Sequence, residues 1–281
     1  MEIKRVFIQG AGTMGNGIAQ VTAQAGFDVV MMDLSMDFVQ KGMGTIEKSL
    51  QRMVDKGKMK GEEKSAILSR IKPVTDLKEA ADADLAIEAV FEDLEMKKRV
   101  FRDLDAVCPP HALLASNTSA LPIAAMAAAT KRPEKVLGLH FMNPVPVMRG
   151  VEIIRAITTS EETMTAGRQF LVKLGKEVCE AVDYAGFIVS RVLDAMLNEA
   201  VKCVMDGNQP EEIDRAMKVC CNFPMGPLEL IDLAGVDIVF HGLETMEKDF
   251  GDRYHPAPLL RQMIRAGHLG RKTKRGFYRY P

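Results

Sequence analysis

The stretch Val6-Phe7-Ile8-Gln9-Gly10-Ala11-Gly12-Thr13-Met14-Gly15 decides the fold of this chain. Its first four residues form an apolar run with two β-branched side chains, which is typical of a buried strand. An amphipathic helix is then indicated by apolar residues at helical spacing: Met14, Ile18, Val21 and Ala25. A second apolar run, Val29-Val30-Met31-Met32, ends at Asp33. The sequence therefore predicts a strand, a tight turn, a helix and a second strand.

The glycines of this unit follow the G-x-G-x-x-G pattern of dinucleotide-binding turns. Gly10 permits the tight turn, Gly12 lets a pyrophosphate approach the backbone, and Gly15 lets the helix pack on the strand. Thr13 and Met14 begin the helix, whose unpaired N–H groups face the phosphates. Asp33, eighteen residues after the last glycine, can accept hydrogen bonds from the adenosine ribose. Because its carboxylate repels a 2′-phosphate and residues 34–36 contain no cation, we expect NAD and not NADP.

The composition limits the classes of function that need to be considered. With 281 residues and a formal net charge of −1, the chain gives no reason to expect nucleic-acid binding. No apolar run approaches the ~20 residues that span a bilayer, so we expect no membrane partner. The five cysteines lack metal-ligand spacing, and we expect no metal. A strand begins within the first ten residues, so we expect no secretory signal and a cytoplasmic protein. A mitochondrial matrix form without its transit peptide would look the same.

Strand and helix patterns alternate as far as Asp183, after which the strand patterns disappear. The later predicted strands cover residues 85–90, 112–115, 136–139, 151–157 and the region around Val178. We therefore predict an α/β fold with a Rossmann-type, mostly parallel sheet over residues 1–183. Residues 184–281 are predicted to form an all-helical domain. Its helices are more apolar than one small bundle needs, which suggests burial between subunits.

A helical insertion follows Asp33, with a second helix over residues 62–70 and three lysines at the tip. These are Lys56, Lys58 and Lys60. Lysines cluster at helix C-termini because they complement the helix dipole, and on spacing alone a solvated turn is the simpler explanation. The alternative is a binding surface for a phosphorylated substrate tail.

A candidate for general-base catalysis is His140, because the unperturbed pKa of histidine lies near working pH. A nicotinamide cofactor carries the hydride, so the protein must accept the alcohol proton and hold the substrate oxygen. Glu152 begins the neighbouring strand, and a turn between the two strands would bring it to His140 as the orienting acid. Ser119, after another strand, can donate to the substrate oxygen. A single histidine in an apolar strand is equally compatible with a structural role.

Several motifs together resemble those of the 3-hydroxyacyl-CoA dehydrogenase family. The length of the chain resembles that of the bacterial 3-hydroxybutyryl-CoA dehydrogenases. The motifs run in order from end to end of the chain: the glycine turn with Asp33, Ser116-Asn117-Thr118-Ser119, His140-Phe141-Met142-Asn143-Pro144-Val145-Pro146, Glu152, Gly226-Pro227 and Gly270-Arg271-Lys272-Thr273.

The resemblance implies oxidation of an L-3-hydroxyacyl-CoA to the 3-oxoacyl-CoA by NAD, or the reverse reduction, in a homodimer. It implies that His140 is the base, Glu152 its partner, and Ser119 a ligand of the substrate oxygen. Further implied cofactor contacts are Glu92, Lys97, Asn117 and Lys272. The implied substrate contacts also include Asn143 and, for the phosphorylated CoA nucleotide, Lys56.

The chain departs from the family pattern at three positions. Ser190 replaces an asparagine that usually helps to hold the substrate, Ala185 replaces a proline, and Lys274 replaces a glycine. Ser190 offers one hydroxyl where an amide would offer donors and an acceptor. Two alternatives therefore stay open. One is a dehydrogenase of a 3-hydroxy sugar acid such as L-gulonate, and the other is a non-catalytic NAD-binding protein.

Overall fold

A computed structural model describes residues 2–281 of the chain. The chain divides into two compact units, residues 1–183 and residues 184–281. The first unit combines a sheet with helices, and the second is helical. Within the described residues, no helix is both long and apolar enough to cross a membrane.

The first unit is built on a single sheet, in which the described residues form eight strands. In chain order, β1 to β8 are Arg5–Gln9, Asp28–Met32, Ile71–Val74, Leu85–Glu88, Leu113–Ser116, Val136–Phe141, Gly150–Arg155 and Glu177–Val182. The spatial order is β3-β2-β1-β4-β5-β6-β7-β8. All neighbouring pairs among these strands are parallel except β6 and β7. The predicted mostly parallel Rossmann-type sheet is confirmed.

Six α-helices of the first unit are described, and they connect these strands. α1 to α6 are Thr13–Gln24, Met36–Asp55, Gly61–Ser69, Leu94–Val107, Ile123–Ala127 and Glu161–Lys173. The central strands are buried along their length, as expected for a parallel sheet covered on both faces. In α2, Val39, Ile46 and Leu50 are buried and lie on one face of the helix. The lysines at 56, 58 and 60 lie exposed between α2 and α3.

The sequence analysis missed β3. This strand has four residues, and Pro73 lies within it opposite Met31 of β2. Proline cannot donate a ladder hydrogen bond, so a proline in a short run argues against a strand. The end of the sheet tolerates it, because β3 has a partner in β2 alone within the described chain. Strand β4 also ends at Glu88, two residues earlier than predicted.

The second unit contains five α-helices among its described residues. α7 to α11 are Val189–Met205, Pro210–Cys220, Pro227–Ala234, Val236–Phe250 and Pro258–Arg265. Leu197, Val201, Leu228, Ile231 and Leu243 are among its buried core residues. Two buried aspartates fasten its C-terminal segment. Asp232 accepts hydrogen bonds from the amides of Phe277 and Tyr278, and Asp214 accepts one from the Tyr278 hydroxyl.

Candidate active site

The glycine turn between β1 and α1 leaves an open backbone surface. Gly10 has a φ of +109°, and a Cβ there would lie 2.5 Å from the carbonyl oxygen of Ala89. A Cβ on Gly15 would overlap the carbonyl oxygen of Gly10. In contrast, a Cβ on Gly12 would meet no atom within 4 Å. Two of the glycines therefore allow close packing, while the third keeps clear the space that a pyrophosphate needs.

The first turn of α1 presents backbone donors without a competing acid. Gly12 caps this helix without a side chain, and its first turn contains no acidic residue. The amides of Thr13 and Met14 begin the helix and lie at the positive end of its dipole. This arrangement suits the binding of a phosphate group.

Asp33 lies directly after β2, and its carboxylate also supports the glycine turn. Its Oδ2 accepts a hydrogen bond of 2.7 Å from the amide of Ala11. Its Oδ1 accepts one from the amide of Leu34. The carboxylate is half-buried, so it is fixed at the end of β2 where the ribose of a dinucleotide is usually bound. The residues at the dinucleotide edge therefore fit NAD.

A buried ion pair lies at the carboxyl end of β4. The Nζ of Lys97 is 2.6 Å from Oε1 of Glu88 and 3.2 Å from Oε2 of Glu92. The side chains of Lys97 and Glu88 are 1% and 0% exposed. Sequence analysis singled out Lys97 and Glu92 but missed Glu88. The sequence signal for Glu88 was its position inside the apolar run that forms β4, because an acid buried in a strand requires a partner.

The loop after β5 is held by Glu92. Its Oε1 accepts hydrogen bonds from the hydroxyl of Thr118 at 2.5 Å and from the amide of Ser119 at 3.0 Å. The hydroxyl of Ser119 lies 3.4 Å from the same oxygen. Asn117 accepts a hydrogen bond from the amide of Phe141, which joins this loop to β6. The structure thus connects Glu92 to Ser119, and Asn117 to the strand that carries His140.

His140 and Glu152 are directly paired across β6 and β7. The Nδ1 of His140 lies 2.7 Å from Oε2 of Glu152. The two residues are 7% and 1% exposed. The contact predicted between these side chains is therefore present. In the tautomer in which Nδ1 donates to the carboxylate, Nε2 is suited to accept a proton, and the carboxylate is placed to stabilise an imidazolium.

The loop between β6 and β7, which contains Asn143, is fastened by a lysine that sequence analysis missed. The Nζ of Lys176 donates to the carbonyl oxygens of Val145 and Met148, at 2.6 and 2.7 Å. Burial lowers the pKa of Lys176. Val145 is buried against Gly17 of α1, where a Cβ would lie 2.9 Å from that of Val145. The loop is therefore held between α1 and Lys176.

The structure places three further predicted site residues on other elements of the chain. Lys56 is exposed at the end of α2. Ser190 lies in the first turn of α7. The Nζ of Lys272 is paired with Asp237, 2.6 Å from its Oδ2. Ser190 and Lys272 both belong to the second unit.

A glycine turn with an acid after β2, and a histidine–carboxylate pair in the same sheet, define a class of protein. Such a turn is suited to bind a dinucleotide, and a histidine paired with a carboxylate is suited to accept the proton that an alcohol loses when a nicotinamide takes its hydride. The fold and the site are those of an NAD-dependent dehydrogenase.

Comparison with known proteins identifies the family. Residues 5–184 match the family profile "3-hydroxyacyl-CoA dehydrogenase, NAD binding domain", and residues 186–280 match "3-hydroxyacyl-CoA dehydrogenase, C-terminal domain". The chain belongs to the 3-hydroxyacyl-CoA dehydrogenase family. It is 47% identical to a probable 3-hydroxybutyryl-CoA dehydrogenase of Bacillus subtilis, over 100% of this chain and 98% of that protein. It is 48% identical to a 3-hydroxybutyryl-CoA dehydrogenase of Bradyrhizobium diazoefficiens, over 99% and 96%.

Solved structures agree with this assignment. The chain superposes on FadB2 of Mycobacterium tuberculosis with a TM-score of 0.98 at 42% identity, over 100% of both chains. It superposes on the (S)-3-hydroxybutyryl-CoA dehydrogenase PaaH1 of Ralstonia eutropha with a TM-score of 0.95 at 43% identity, again over 100% of both. The predicted family, enzyme class and NAD cofactor are confirmed.

Proposed function

We propose that this enzyme oxidises the 3-hydroxyl of a short-chain L-3-hydroxyacyl-CoA, such as 3-hydroxybutyryl-CoA, to the ketone, or catalyses the reverse reduction. The observation that carries the proposal is the 2.7 Å contact between His140 and Glu152 in the sheet that holds the dinucleotide turn. Relatives of 43–48% identity that cover nearly the whole chain are named 3-hydroxybutyryl-CoA dehydrogenases, which supports the substrate class.

In this proposal the chain handles the proton and NAD supplies the hydride acceptor. Nε2 of His140 takes the proton of the 3-hydroxyl as oxidation proceeds, and returns it in the reverse reaction. Glu152 keeps the imidazole in the required tautomer. The Ser119 hydroxyl donates to the substrate oxygen. This hydroxyl faces Oε1 of Glu92 at 3.4 Å in the structure, and the substrate oxygen would replace Glu92 as its acceptor while the Ser119 amide keeps its bond to Glu92.

The family resemblance supports further binding roles. For the cofactor these concern Glu92, Lys97, Asn117 and Lys272, and for the substrate Asn143, Lys56 and Ser190. Lys56 has the exposure that contact with a CoA phosphate requires. We assign residues 1–183 to NAD binding and residues 184–281 to substrate binding and dimerisation.

We also propose a cytoplasmic homodimer. The second unit exposes large apolar side chains, including Val192, Val219 and Ile238. Exposed apolar surface of this kind is characteristic of subunit contacts. Sedimentation equilibrium of the purified chain tests the dimer directly.

The activity is tested by following NADH absorbance with acetoacetyl-CoA as substrate. We expect turnover with acetoacetyl-CoA and NADH, and with 3-hydroxybutyryl-CoA and NAD. Kinetics over an acyl-CoA length series then define the chain preference. The absence of turnover with every acyl-CoA, together with retained NADH binding, would refute the proposed substrate.

Ser190 is the observation that favours a second substrate, an L-gulonate-type 3-hydroxy sugar acid. Structures of 28–29% identity with different chemistry share this scaffold, among them a diketoreductase. Gulonate with NAD, assayed beside acetoacetyl-CoA with NADH, separates the two substrates. A higher kcat/KM for gulonate would identify the sugar acid as the substrate.

A further inference from the structure

Three charged side chains form a cluster at the carboxyl end of β4, which we call the charge triad: Glu88, Glu92 and Lys97. The ammonium of Lys97 contacts both carboxylates, at 2.6 and 3.2 Å. Two carboxylates and one ammonium give the triad a formal charge of −1. Lys97 and Glu88 alone would be neutral, so the pairing of this buried lysine does not require the second acid.

Both carboxylates of the triad are held by donors. Glu88 accepts from the amide of Val90 and from the hydroxyl of Ser116, at 2.7 and 2.6 Å. Glu92 accepts from the amide and hydroxyl groups of the loop after β5. Every one of these partners donates, so each carboxylate acts as an acceptor on more than one side. These donors fix both carboxylates in position, with Glu88 buried and the Glu92 side chain 42% exposed.

The strand order determines which half of the dinucleotide lies near the triad. The order changes direction between β1 and β4, and a dinucleotide lies across the sheet at that point. Asp33, at the end of β2, receives the adenosine ribose on one side. The nicotinamide half then extends over the other side, where Glu88 ends β4 and Ser116 ends β5. A fixed charge of −1 thus lies at the nicotinamide side of the edge.

The nicotinamide ring is cationic in NAD⁺ and neutral in NADH. A fixed negative charge therefore stabilises the oxidised form relative to the reduced form. We propose that the charge triad sets the preference of this site for NAD⁺ over NADH, with Glu88 as a positioning residue that holds Lys97. This inference rests on the proposed function in one respect: it requires the nicotinamide of NAD to be bound at this edge of the sheet.

Two substitutions that change the triad charge in opposite directions provide the test. Glu88→Gln changes the charge from −1 to 0, and Lys97→Met changes it from −1 to −2. The Kd for NADH is measured by nucleotide fluorescence, and the Kd for NAD⁺ by competition. We expect the ratio Kd(NAD⁺)/Kd(NADH) to rise about tenfold in Glu88→Gln and to fall about tenfold in Lys97→Met, as for one charge at an effective dielectric of about 20. If the substitutions only loosened the fold, the ratio would change in the same direction in both variants, or it would stay unchanged in both.

The matched control is Glu95→Gln, since Glu95 lies in the first turn of the same helix but is exposed and paired with Lys98. Its ratio should equal that of the wild type. Circular dichroism checks folding, and Glu92→Gln removes the same charge from the more exposed acid if Glu88→Gln does not fold. An unchanged ratio in whichever of these two variants is folded would overturn the proposal.

The two proposals fail in distinguishable ways. If the wild-type enzyme turns over acyl-CoA but the ratio Kd(NAD⁺)/Kd(NADH) does not change in the charge variants, this inference alone is refuted. A wild-type protein that binds neither nucleotide would refute the proposed function and this inference together.

Discussion

His140 and Glu152 face each other across the β6–β7 pair, with Nδ1 and Oε2 2.7 Å apart. This is an antiparallel pair in a sheet whose other described pairs are parallel. Because the chain reverses after β6, a residue near the end of β6 meets one near the start of β7 at the same edge of the sheet. That reversal places the carboxylate of Glu152 next to His140, the candidate base, at the edge where a parallel sheet binds its ligand.

Replacement of His140 by glutamine should abolish turnover. Glutamine cannot accept a proton at neutral pH, and loss of a general base lowers rates by about 10²–10⁴-fold. The affinity for NADH should change little, because the imidazole is not part of the glycine turn. Stopped assays of acetoacetyl-CoA reduction and NADH fluorescence titration measure the two quantities. Parallel loss of turnover and of NADH binding would point to a structural role for His140.

Replacement of Asp33 by asparagine should weaken discrimination against NADP. The amide oxygen can still accept from Ala11, but the charge that repels a 2′-phosphate is removed. We expect kcat/KM for NAD to fall about tenfold and the NADP/NAD ratio of kcat/KM to rise by a similar factor. Asp37→Asn, on the exposed first turn of α2, serves as the control. Equal loss with both nucleotides would show that Asp33 supports the turn alone.

Replacement of Lys176 by methionine should release the loop between β6 and β7. The carbonyls of Val145 and Met148 lose their donor, which costs about 1–3 kcal/mol in the free energy of unfolding. We expect kcat to fall about tenfold, because the loop joins His140 to Glu152. Lys176→Arg keeps a donor and should be intermediate. Lys173→Met, which removes a lysine whose Nζ lies 5.9 Å from the centre of the Phe27 ring, should leave kcat unchanged. Urea denaturation and steady-state kinetics give both readouts.

Asp194 should make the stability of the protein depend on pH. Burial raises its pKa from 3.8 to about 7, and Oδ2 lies over Gly242, 2.7 Å from where a Cβ would stand. A raised pKa means that the folded state holds a proton that the unfolded state has released. The stability contribution is full below pH 3.8 and is lost as the pH rises to about 7.

Asp194→Asn therefore should stabilise the protein at pH 8 more than at pH 4. We expect a difference of about 2–4 kcal/mol in the free energy of unfolding, from about 1.4 kcal/mol per pH unit. Urea denaturation at the two pH values measures it. The exposed Asp206→Asn, at the end of the same helix, controls for the loss of one charge. Equal effects of Asp194→Asn at both pH values would contradict the assigned burial.

Much of this molecule was predictable because local patterns carried the information. The glycine turn, the acid after β2 and the apolar strands each follow from residue type and spacing, which depend on backbone conformation and burial. The order of the motifs along the chain then indicated the protein family. Strand β3 was not predicted because its proline contradicts the strand pattern. Its pairing depends on β2, which lies far away in sequence.

The sequence by itself determined the class of fold, the preference for NAD and the identity of the candidate base and acid. Tertiary structure decided how charges are distributed around them. Glu88 beneath Lys97, Glu92 against Ser119 and Lys176 on the β6–β7 loop involve side chains from separate elements. Hydrogen bonds and ion pairs act over about 3 Å, and residues far apart in sequence reach that distance only when the sheet order is set.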